Sequence, residues 1–191
     1  MFKVNSSYNK GFTLIELLVV IAIIGLLSSI VLASLNTARV KARNAKRFSD
    51  FRQIQIALDA YYNDHGSYPP PYPAGWSGVD TGGCNGNAGN GTASGPTAYI
   101  QGLTPTYISV LPVDPAQQAA DCTGYLYNSN GVDYAFLDHN IVAIDPGFNT
   151  GDYNSRTNLL DPVRDSGSNG CIVDGSAFWA WKIYSPGAVC W

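Results

Sequence analysis

The sequence predicts an α+β protein in which a long N-terminal helix, transmembrane in its first half, packs on an antiparallel β-sheet head. A long, predominantly apolar run follows Gly11 and extends to Leu35. Apolar residues then recur at spacings of three and four, which is typical of one helix face. Aromatic residues alternate on both sides of Asn130-Gly131, which indicates a β-hairpin. The predicted divisions are a leader (1–11), a transmembrane helix (12–35), an amphipathic helix (36–64) and a β-rich head (65–191).

The apolar run after Gly11 is long enough to cross a bilayer. Its roughly 24 residues would rise about 36 Å as a helix, and the hydrocarbon core is about 30 Å thick. The run contains one charged residue, Glu16, which is also the only glutamate in the chain. A carboxylate inside a membrane is energetically costly, so we expect Glu16 to have a function and a positively charged partner. Cleavage after Gly11 would create such a partner, because Phe12 would gain a free amine one helical turn away.

The segment Gly11-Phe12-Thr13-Leu14-Ile15-Glu16 resembles the processing and assembly signal of type IV prepilins and of the pseudopilins of type II secretion. The resemblance implies a pilin-like fold and a structural role in a filament. In that family a prepilin peptidase cuts after the glycine and methylates the new N-terminal residue, which here is Phe12. The glutamate, here Glu16, then pairs with the N-terminal amine of a neighbouring subunit. The implied partners are other copies of the chain, the peptidase, further pilus or secretion-system subunits and membrane lipid.

Simpler interpretations of the N-terminal segment remain open. A secretory signal peptide cut near Val31-Leu32-Ala33 fits the small-residue rule loosely. Such peptides, however, have apolar cores of about 7–15 residues, and this run is longer and contains an acid. A plain membrane anchor would leave Glu16 without a role, although acids are rare inside membranes. The alternative function is a membrane-tethered extracytoplasmic binding or adhesion module that uses the Trp-rich C-terminal end and does not polymerise.

Charge is distributed unevenly along the chain. Six of the eleven basic residues lie between Arg39 and Arg52, whereas the region from Gln53 onward has twelve aspartates and three basic residues, a net charge of −9. We expect no nucleic-acid binding by this head, because phosphate contacts need clustered cations. The positive-inside rule would place the basic stretch in the cytoplasm. The resemblance instead places the leader there and the head outside, anchored in the inner membrane and later in a periplasmic or extracellular filament. The cations would then contact lipid phosphates or the acidic heads of neighbouring subunits.

The amphipathic helix, whose pattern begins at Arg39 and which contains the basic stretch, is predicted to cover the sheet with one face. Its exit is predicted at Asp64-His65-Gly66, where Gly66 would be the left-handed cap. The prolines that follow would prevent the helix from continuing. Large apolar side chains form the predicted stripe at spacings of three and four: Phe48, Phe51, Ile54, Leu58 and Tyr61.

The clearest β signal is Asn130-Gly131 between two aromatic runs, which predicts a two-residue type I′ turn. This turn would pair Tyr127 with Tyr134 and Tyr125 with Phe136. All four rings would then share one face of the sheet, the face covered by the helix stripe. A slip of one residue would move them to the other face.

Three further segments complete the predicted head. Asn140 to Ile144 is predicted to be a third strand, and Cys171 to Trp191 to contain a closing hairpin. Pro69 to Pro96 is predicted to be a loop, because its Gly82–Gly91 part has almost no side chains to bury. A loop of this length is usually functional or mobile.

Four cysteines lie in the head, and none has the two-residue spacing of a zinc or redox pair. Outside the cytoplasm, disulfides are the expected state. Of three pairings we favour Cys84–Cys122 and Cys171–Cys190, the nearest neighbours in sequence. Each loop would stabilise the fold by about 3–4 kcal/mol in the chain-entropy model. A bridge at the C-terminus also resembles the disulfide loop of many type IV pilins.

The polar C-terminal region has carboxylates of the kind that Ca²⁺ prefers, and some pseudopilins bind calcium in the head. No calcium-loop spacing is present, so turns and helix caps are the favoured explanation and no cofactor is otherwise expected. The candidate ligands are Asp152, Asp161, Asp165 and Asp174.

Catalysis is not expected. The two histidines, His65 and His139, have no nucleophile at a recognisable spacing, and paired glutamates are impossible with one glutamate in the chain. Two subclasses of filament protein remain open instead. The helix exit (Tyr61–Pro69) and the Leu111–Leu137 region favour a secretion pseudopilin, whereas the C-terminal cysteines and aromatic tail favour a surface pilin.

Overall fold

The computed structural model describes residues 11–79, 88–117, 123–145, 147–165, 170–172 and 180–191. The chain divides into two compact units, Met1–Arg39 and Val40–Trp191. The architecture is α+β, as predicted, with one long N-terminal helix followed by a five-stranded sheet. Four predicted features lie outside the described residues: the leader up to Lys10, the Cys84–Cys122 pair, Asp174, and residues 173–179 of the predicted C-terminal hairpin.

The long helix α1 extends from Leu14 to His65. In the first unit its apolar side chains are exposed on all sides, from 40% for Leu35 to 83% for Phe12 just before the helix. The helix is long and apolar enough to cross a membrane. Apolar side chains all around a helix are typical of a segment that lipid or other helices surround.

In the second unit α1 packs on the sheet through the predicted stripe. Phe51, Ile54 and Leu58 are fully buried, and Phe48 and Tyr61 pack partly buried against the same core. The core also contains aromatic side chains from the sheet, and Phe51 lies 5.1 Å from Phe136 and 5.8 Å from Tyr125, measured between ring centroids. The predicted stripe is therefore confirmed.

The C-terminus of α1 has the predicted glycine cap. Gly66 has a φ of +70°, and its N–H donates to the carbonyl of Tyr62 at 2.8 Å. A residue in the left-handed conformation satisfies a carbonyl that the end of a helix would otherwise leave without a donor. The prolines at positions 69–71 then prevent further helix.

The sheet has the strand order β2-β1-β3-β4-β5 and is mixed. The pairs β1–β3, β3–β4 and β4–β5 are antiparallel, whereas β1 and β2 are parallel, so the expectation of a wholly antiparallel sheet is wrong at one edge. The strands are β1 (Trp76–Val79), β2 (Ala88–Gly91), β3 (Gly124–Ser129), β4 (Tyr134–His139) and β5 (Trp181–Tyr184).

Two of these strands correct the prediction that Pro69 to Pro96 is a loop. β1 and β2 both lie in that region and pair from Trp76–Ala88 to Val79–Gly91. β2 has two glycines among its four residues, which contribute backbone hydrogen bonds but no side chains, and β1 is also only four residues long. They therefore lack the alternating pattern by which a strand is recognised in a sequence.

The β3–β4 hairpin has the predicted position but a different register. Tyr127 pairs with Phe136, whereas the two-residue turn would pair it with Tyr134. The difference is two residues, which leaves every side chain on its predicted face. The prediction that four rings share the face toward the helix is therefore confirmed for Tyr125, Tyr127, Tyr134 and Phe136.

A longer connection causes this shift. The loop between β3 and β4 contains four residues, from Asn130 to Asp133, rather than two. The Asn130 side chain accepts hydrogen bonds from the N–H groups of Val132 (2.9 Å) and Asp133 (2.8 Å). An asparagine that caps the backbone two and three residues on closes a wider turn than the two-residue hairpin needs.

The segment after β4 is helical, so the predicted third strand at Asn140–Ile144 is wrong. Asn140 has a φ of +58° and starts the short helix α2 (Ile141–Ile144). The left-handed residue ends the extended conformation of β4. The strand that pairs with β4 is β5, whose Trp181 is fully buried. The short helices α3 (Thr150–Asn154) and α4 (Pro162–Asp165) come between α2 and β5 in the sequence.

Two interactions hold the C-terminal segment in place, one with Cys171 and one with Lys182 of β5. The predicted Cys171–Cys190 disulfide is present, with the two Cα atoms 5.3 Å apart. The buried Lys182 ammonium donates to the carbonyls of Val189 (3.1 Å) and Trp191 (3.0 Å). Both interactions join residues that are close in sequence, so they stabilise the end of the chain locally.

Gly91 of β2 permits a close approach of the chain that no larger residue would allow. A Cβ at this position would lie 2.6 Å from the carbonyl oxygen of Tyr72 and 2.7 Å from the Cα of Tyr99. We therefore expect Gly91→Val to lower the free energy of unfolding by about 1–3 kcal/mol. Urea denaturation of the full chain in detergent measures this loss. Thr92→Val, at the exposed next residue, is the control with a smaller expected effect, and equal effects would contradict the packing.

Candidate functional site

The N-terminus of α1 contains a reciprocal hydrogen-bond pair between Thr13 and Glu16. The Thr13 N–H and hydroxyl donate to Glu16 Oε2 at 2.8 and 2.7 Å, and the Glu16 N–H donates to Thr13 Oγ1 at 3.3 Å. This is a capping box, which satisfies N–H groups at the first turn of a helix. This capping role is additional to the assembly role expected of Glu16, and the Thr-x-x-Glu spacing is its ordinary signal in a sequence.

The predicted processing residues precede the helix. Gly11 and Phe12 are exposed and non-helical, and α1 begins at Leu14. A Cβ added to Gly11 would have no atom within 4 Å. The bond between Gly11 and Phe12 thus lies in accessible chain, one turn before Glu16, and the structure brings the three predicted residues into one short segment.

The basic residues between Arg39 and Arg52 are not all exposed on the surface, because the Arg47 side chain is buried. Three of these cations form ion pairs with carboxylates of the same unit, and the expectation of contacts with lipid or neighbouring heads is wrong for Arg47, which is completely buried. Their partners come from loops, from β4 and, for Lys46, from the next turn of α1, and only this last pair has a spacing that the sequence reveals. The pairs are Arg43 with Asp145, Lys46 with Asp50, and Arg47 with Asp114, Asp138 and Asp145.

Arg47 is the centre of this cluster and is completely buried. Its Nε donates to Asp114 Oδ2 at 2.6 Å, and its Nη1 donates to Asp145 Oδ2 at 3.0 Å and to Asn44 Oδ1 at 2.8 Å. Burial by itself would lower the pKa of Arg47, but the charges of Asp138 and Asp114 and the hydrogen bonds outweigh it and raise that pKa. The cation is therefore permanent and joins α1 to three other parts of the head.

Asp138 of β4 is the least satisfied member of the cluster. Its Oδ2 lies 3.0 Å from Arg47 Nε, but the single hydrogen of that nitrogen is directed to Asp114. Neither oxygen of Asp138 accepts a hydrogen bond from a described residue. Burial and then the nearby charge of Asp114 raise the pKa of Asp138 well above its usual range. The pKa of Asp145 is shifted in the other direction. Burial alone would raise this pKa, but the hydrogen bonds from Arg43 and Arg47 outweigh burial and lower it.

These shifts predict a stability that falls with rising pH. Asp138 has a folded pKa above its unfolded value of about 3.9, so the folded chain keeps a proton that the unfolded chain releases. Stability is lost as pH rises from about 4 toward the folded pKa. Asp145 has the opposite effect in more acidic solution. Because its folded pKa is lowered, its contribution to the free energy of unfolding is lost as the pH falls through that pKa.

Asp138→Asn should remove this dependence, because the amide resembles the protonated acid. We expect a flatter slope of unfolding free energy against pH between about 5 and 8, by at most about 1.4 kcal/mol per pH unit. Urea denaturation at several pH values measures the slope. Asp59→Asn, at an exposed position, is the control and should leave it unchanged. A slope equal to that of the wild type in the Asp138 variant would contradict a protonated Asp138.

Two calcium candidates, Asp152 and Asp161, have described side chains, and both contact other groups of the head. Asp152 accepts from the Asn149 N–H at 3.3 Å in the capping box of α3. Asp161 is buried, accepts from the Val163 N–H at 3.1 Å and lies 3.6 Å from Lys182 Nζ. Within the described ranges, no three His, Cys, Asp or Glu side chains are grouped as a metal site would need. Asp152 therefore contacts a helix cap and Asp161 a turn, the side chain of Asp165 lies outside the description, and calcium binding stays a prediction.

Comparison with known proteins gives matches to the N-terminal part of the chain. Residues 6–32 match the family described as the prokaryotic N-terminal methylation motif. The type II secretion system core protein G of Escherichia coli (strain K12) is 45% identical over 60 residues, which are 31% of this chain and 41% of that protein. The same protein of Pectobacterium carotovorum subsp. carotovorum is 43% identical over 60 residues, 31% of this chain and 38% of the relative.

A type IV pilin matches the same region. The type IV major pilin protein PilE1 of Neisseria gonorrhoeae is 39% identical over 70 residues, 37% of this chain and 33% of that protein. The chain thus spans about two fifths of the secretion relatives and one third of the pilin. No solved structure gives a significant match. Over about its N-terminal third, the chain is thus similar to type II secretion core protein G and to a type IV major pilin, and it contains the N-terminal methylation motif.

Proposed function

We propose that the chain is a structural subunit of a filament of the type IV pilus or type II secretion pseudopilus kind. The observation that carries this proposal is the first part of α1, whose described apolar side chains are exposed on all sides and whose first turn contains one carboxylate, Glu16. Such a surface needs lipid before assembly and other helices after it. The methylation motif and the similarity to a secretion core protein and a major pilin support the same role.

Processing would convert Glu16 from a cap into an assembly contact. A peptidase that cuts after Gly11 would leave an ammonium group on Phe12, directly before Thr13. Glu16 uses Oε2 for both bonds from Thr13, so its second oxygen can accept the ammonium of a neighbouring subunit. Neither charge would then remain alone in an apolar filament core, where an isolated charge is strongly destabilising.

The membrane orientation follows from the same proposal. The leader would face the peptidase on the cytoplasmic side, and the head would lie beyond the inner membrane. The Cys171–Cys190 disulfide supports this orientation, because disulfides persist in oxidising compartments. Lipid would surround the apolar part of α1 until a subunit enters the filament.

Mass spectrometry of the N-terminus, on chain purified from its own cells, tests the proposal. We expect the chain to start at a methylated Phe12, and Gly11→Leu to leave the leader attached. Electron microscopy of a sheared cell fraction should show fibres that contain the chain. A chain that starts at Met1, or one trimmed beyond Ala33, would overturn the proposal. Fibres released from the cell surface would indicate a pilus, and fibres confined to the periplasm a pseudopilus.

A further inference from the structure

The solvent-facing side of α1 in the second unit has a ridge opposite the buried stripe. Its members are separated by three or four residues, which aligns them along one side of a helix. Every one of them is exposed. The ridge consists of Lys41, Ala45, Ser49, Arg52, Ile56 and Asp59.

The charges of this ridge have no partners in the described head. No hydrogen bond or ion pair connects Arg52 or Asp59 to any residue in the described ranges, whereas Arg47 is surrounded by carboxylates. Ile56 lies between the two charges and is 62% exposed. An exposed apolar side chain flanked by opposite charges without partners is a surface that another molecule can complete.

We propose that this ridge binds a second copy of the chain, with Arg52 of one copy paired to Asp59 of the next. The inference rests on the proposed function, because copies whose N-terminal segments enter one membrane lie parallel. Arg52 and Asp59 are seven residues apart, which is about two turns and about 10 Å along a helix. A parallel copy shifted by that distance places the cation of one helix beside the acid of the other.

The same shift matches the sizes of the remaining ridge residues. Seven residues separate Ala45 from Arg52 and Ser49 from Ile56. Each small residue of one copy would therefore lie level with a large residue of the other, which leaves room for the larger side chain. Because every copy has both a free cation and a free acid on the ridge, the contact is head-to-tail and can repeat without closing.

A lipid surface fits the ridge less well. Arg52 is seventeen residues beyond Leu35, where the apolar run ends, whereas Lys41 is only six residues beyond it. Anionic lipid would also repel Asp59 and leave it without a partner. A second copy of the chain satisfies both charges at once.

Charge reversal with rescue tests the contact. Arg52→Asp, Asp59→Arg and the double variant are introduced into the full chain in cells that assemble the wild-type filament. The yield of sheared filament is measured relative to the chain in the membrane. Each single reversal should lower this yield by about fivefold or more, and the double reversal should restore it to within about twofold of wild type.

A mismatched pair is the control. Arg52→Asp with Asp64→Arg restores the net charge but not the proposed pair, because Asp64 lies off the ridge, where it accepts the Tyr107 hydroxyl at 2.7 Å. This variant should assemble as poorly as Arg52→Asp alone. Equal rescue by both double variants, or by neither, would overturn the contact. Lipid would be the partner of the ridge if Arg52→Asp lowered the filament yield and weakened binding to anionic vesicles, and if adding Asp59→Arg did not restore the yield. This outcome would also overturn the contact between copies.

The result separates the contact from the function on which it rests. A wild-type chain with methylated Phe12 that forms fibres, together with no rescue by the matched swap, refutes the contact alone. A wild-type chain that is not processed and forms no fibres refutes both.

Discussion

Glu16→Gln is expected to abolish filament assembly while cleavage after Gly11 continues. The amide keeps the acceptor that the Thr13 N–H and hydroxyl use, at 2.8 and 2.7 Å in the wild type, so the start of α1 should persist. It lacks the negative charge that would neutralise the Phe12 ammonium of a neighbouring subunit. An ammonium left alone in an apolar core is strongly unfavourable. We expect the yield of sheared filament to fall by about tenfold or more.

Two measurements on the same cells identify the cause. Mass spectrometry should still find methylated Phe12 in the Glu16→Gln chain, and electron microscopy should find no fibres. Thr13→Val is the matched control, because it removes the hydroxyl of the capping box but keeps the charge of Glu16. This control should still form fibres. Normal fibres from Glu16→Gln would show that the charge does not direct assembly, and loss of fibres in Thr13→Val alone would assign the effect to the cap.

Arg47→Met is expected to cause the largest loss of stability in the head. Arg47 is completely buried and contacts Asp114, Asp138 and Asp145 at 2.6 to 3.0 Å. Methionine approximates the length of the side chain but leaves these carboxylates without the central cation. Breaking a buried ion pair by removing one partner typically costs about 3–5 kcal/mol. Urea denaturation of the full chain in detergent, followed by near-ultraviolet circular dichroism, measures the loss.

Matched variants distinguish the contribution of the buried charge of Arg47 from the general effect of replacing an arginine in α1. Arg52→Met makes the same substitution at an exposed arginine of α1 and should change the unfolding free energy by less than about 0.5 kcal/mol. Arg47→Met combined with Asp114→Asn should lose less than Arg47→Met alone, because the carboxylate that lies 2.6 Å from Arg47 Nε is then removed as well. Equal losses in the single and combined variants would mean that packing, rather than charge, is the contribution of Arg47.

The sequence by itself determined the features that depend on neighbouring residues. The apolar run, the solitary Glu16 and the Gly11-Phe12 junction define the N-terminal segment within a few turns of chain. The helix stripe and the Gly66 cap are equally local, because a helix repeats every 3.6 residues and ends where a left-handed residue follows. The shared face of the hairpin rings is also local, since a strand alternates with a period of two and a shift by two preserves it.

Only the tertiary structure decided the features that depend on distant residues. Arg47 meets Asp114 and Asp145 across 67 and 98 positions, and no spacing in the sequence indicates which cations of the basic stretch are buried. The hairpin register follows from how the Asn130 side chain closes its loop, and β1 and β2 become strands by pairing with each other. The physical reason is that backbone ladders and buried ion pairs are stabilised by partners that packing brings together. The local sequence therefore shows which residues can form a strand or an ion pair, but not which distant residues they pair with.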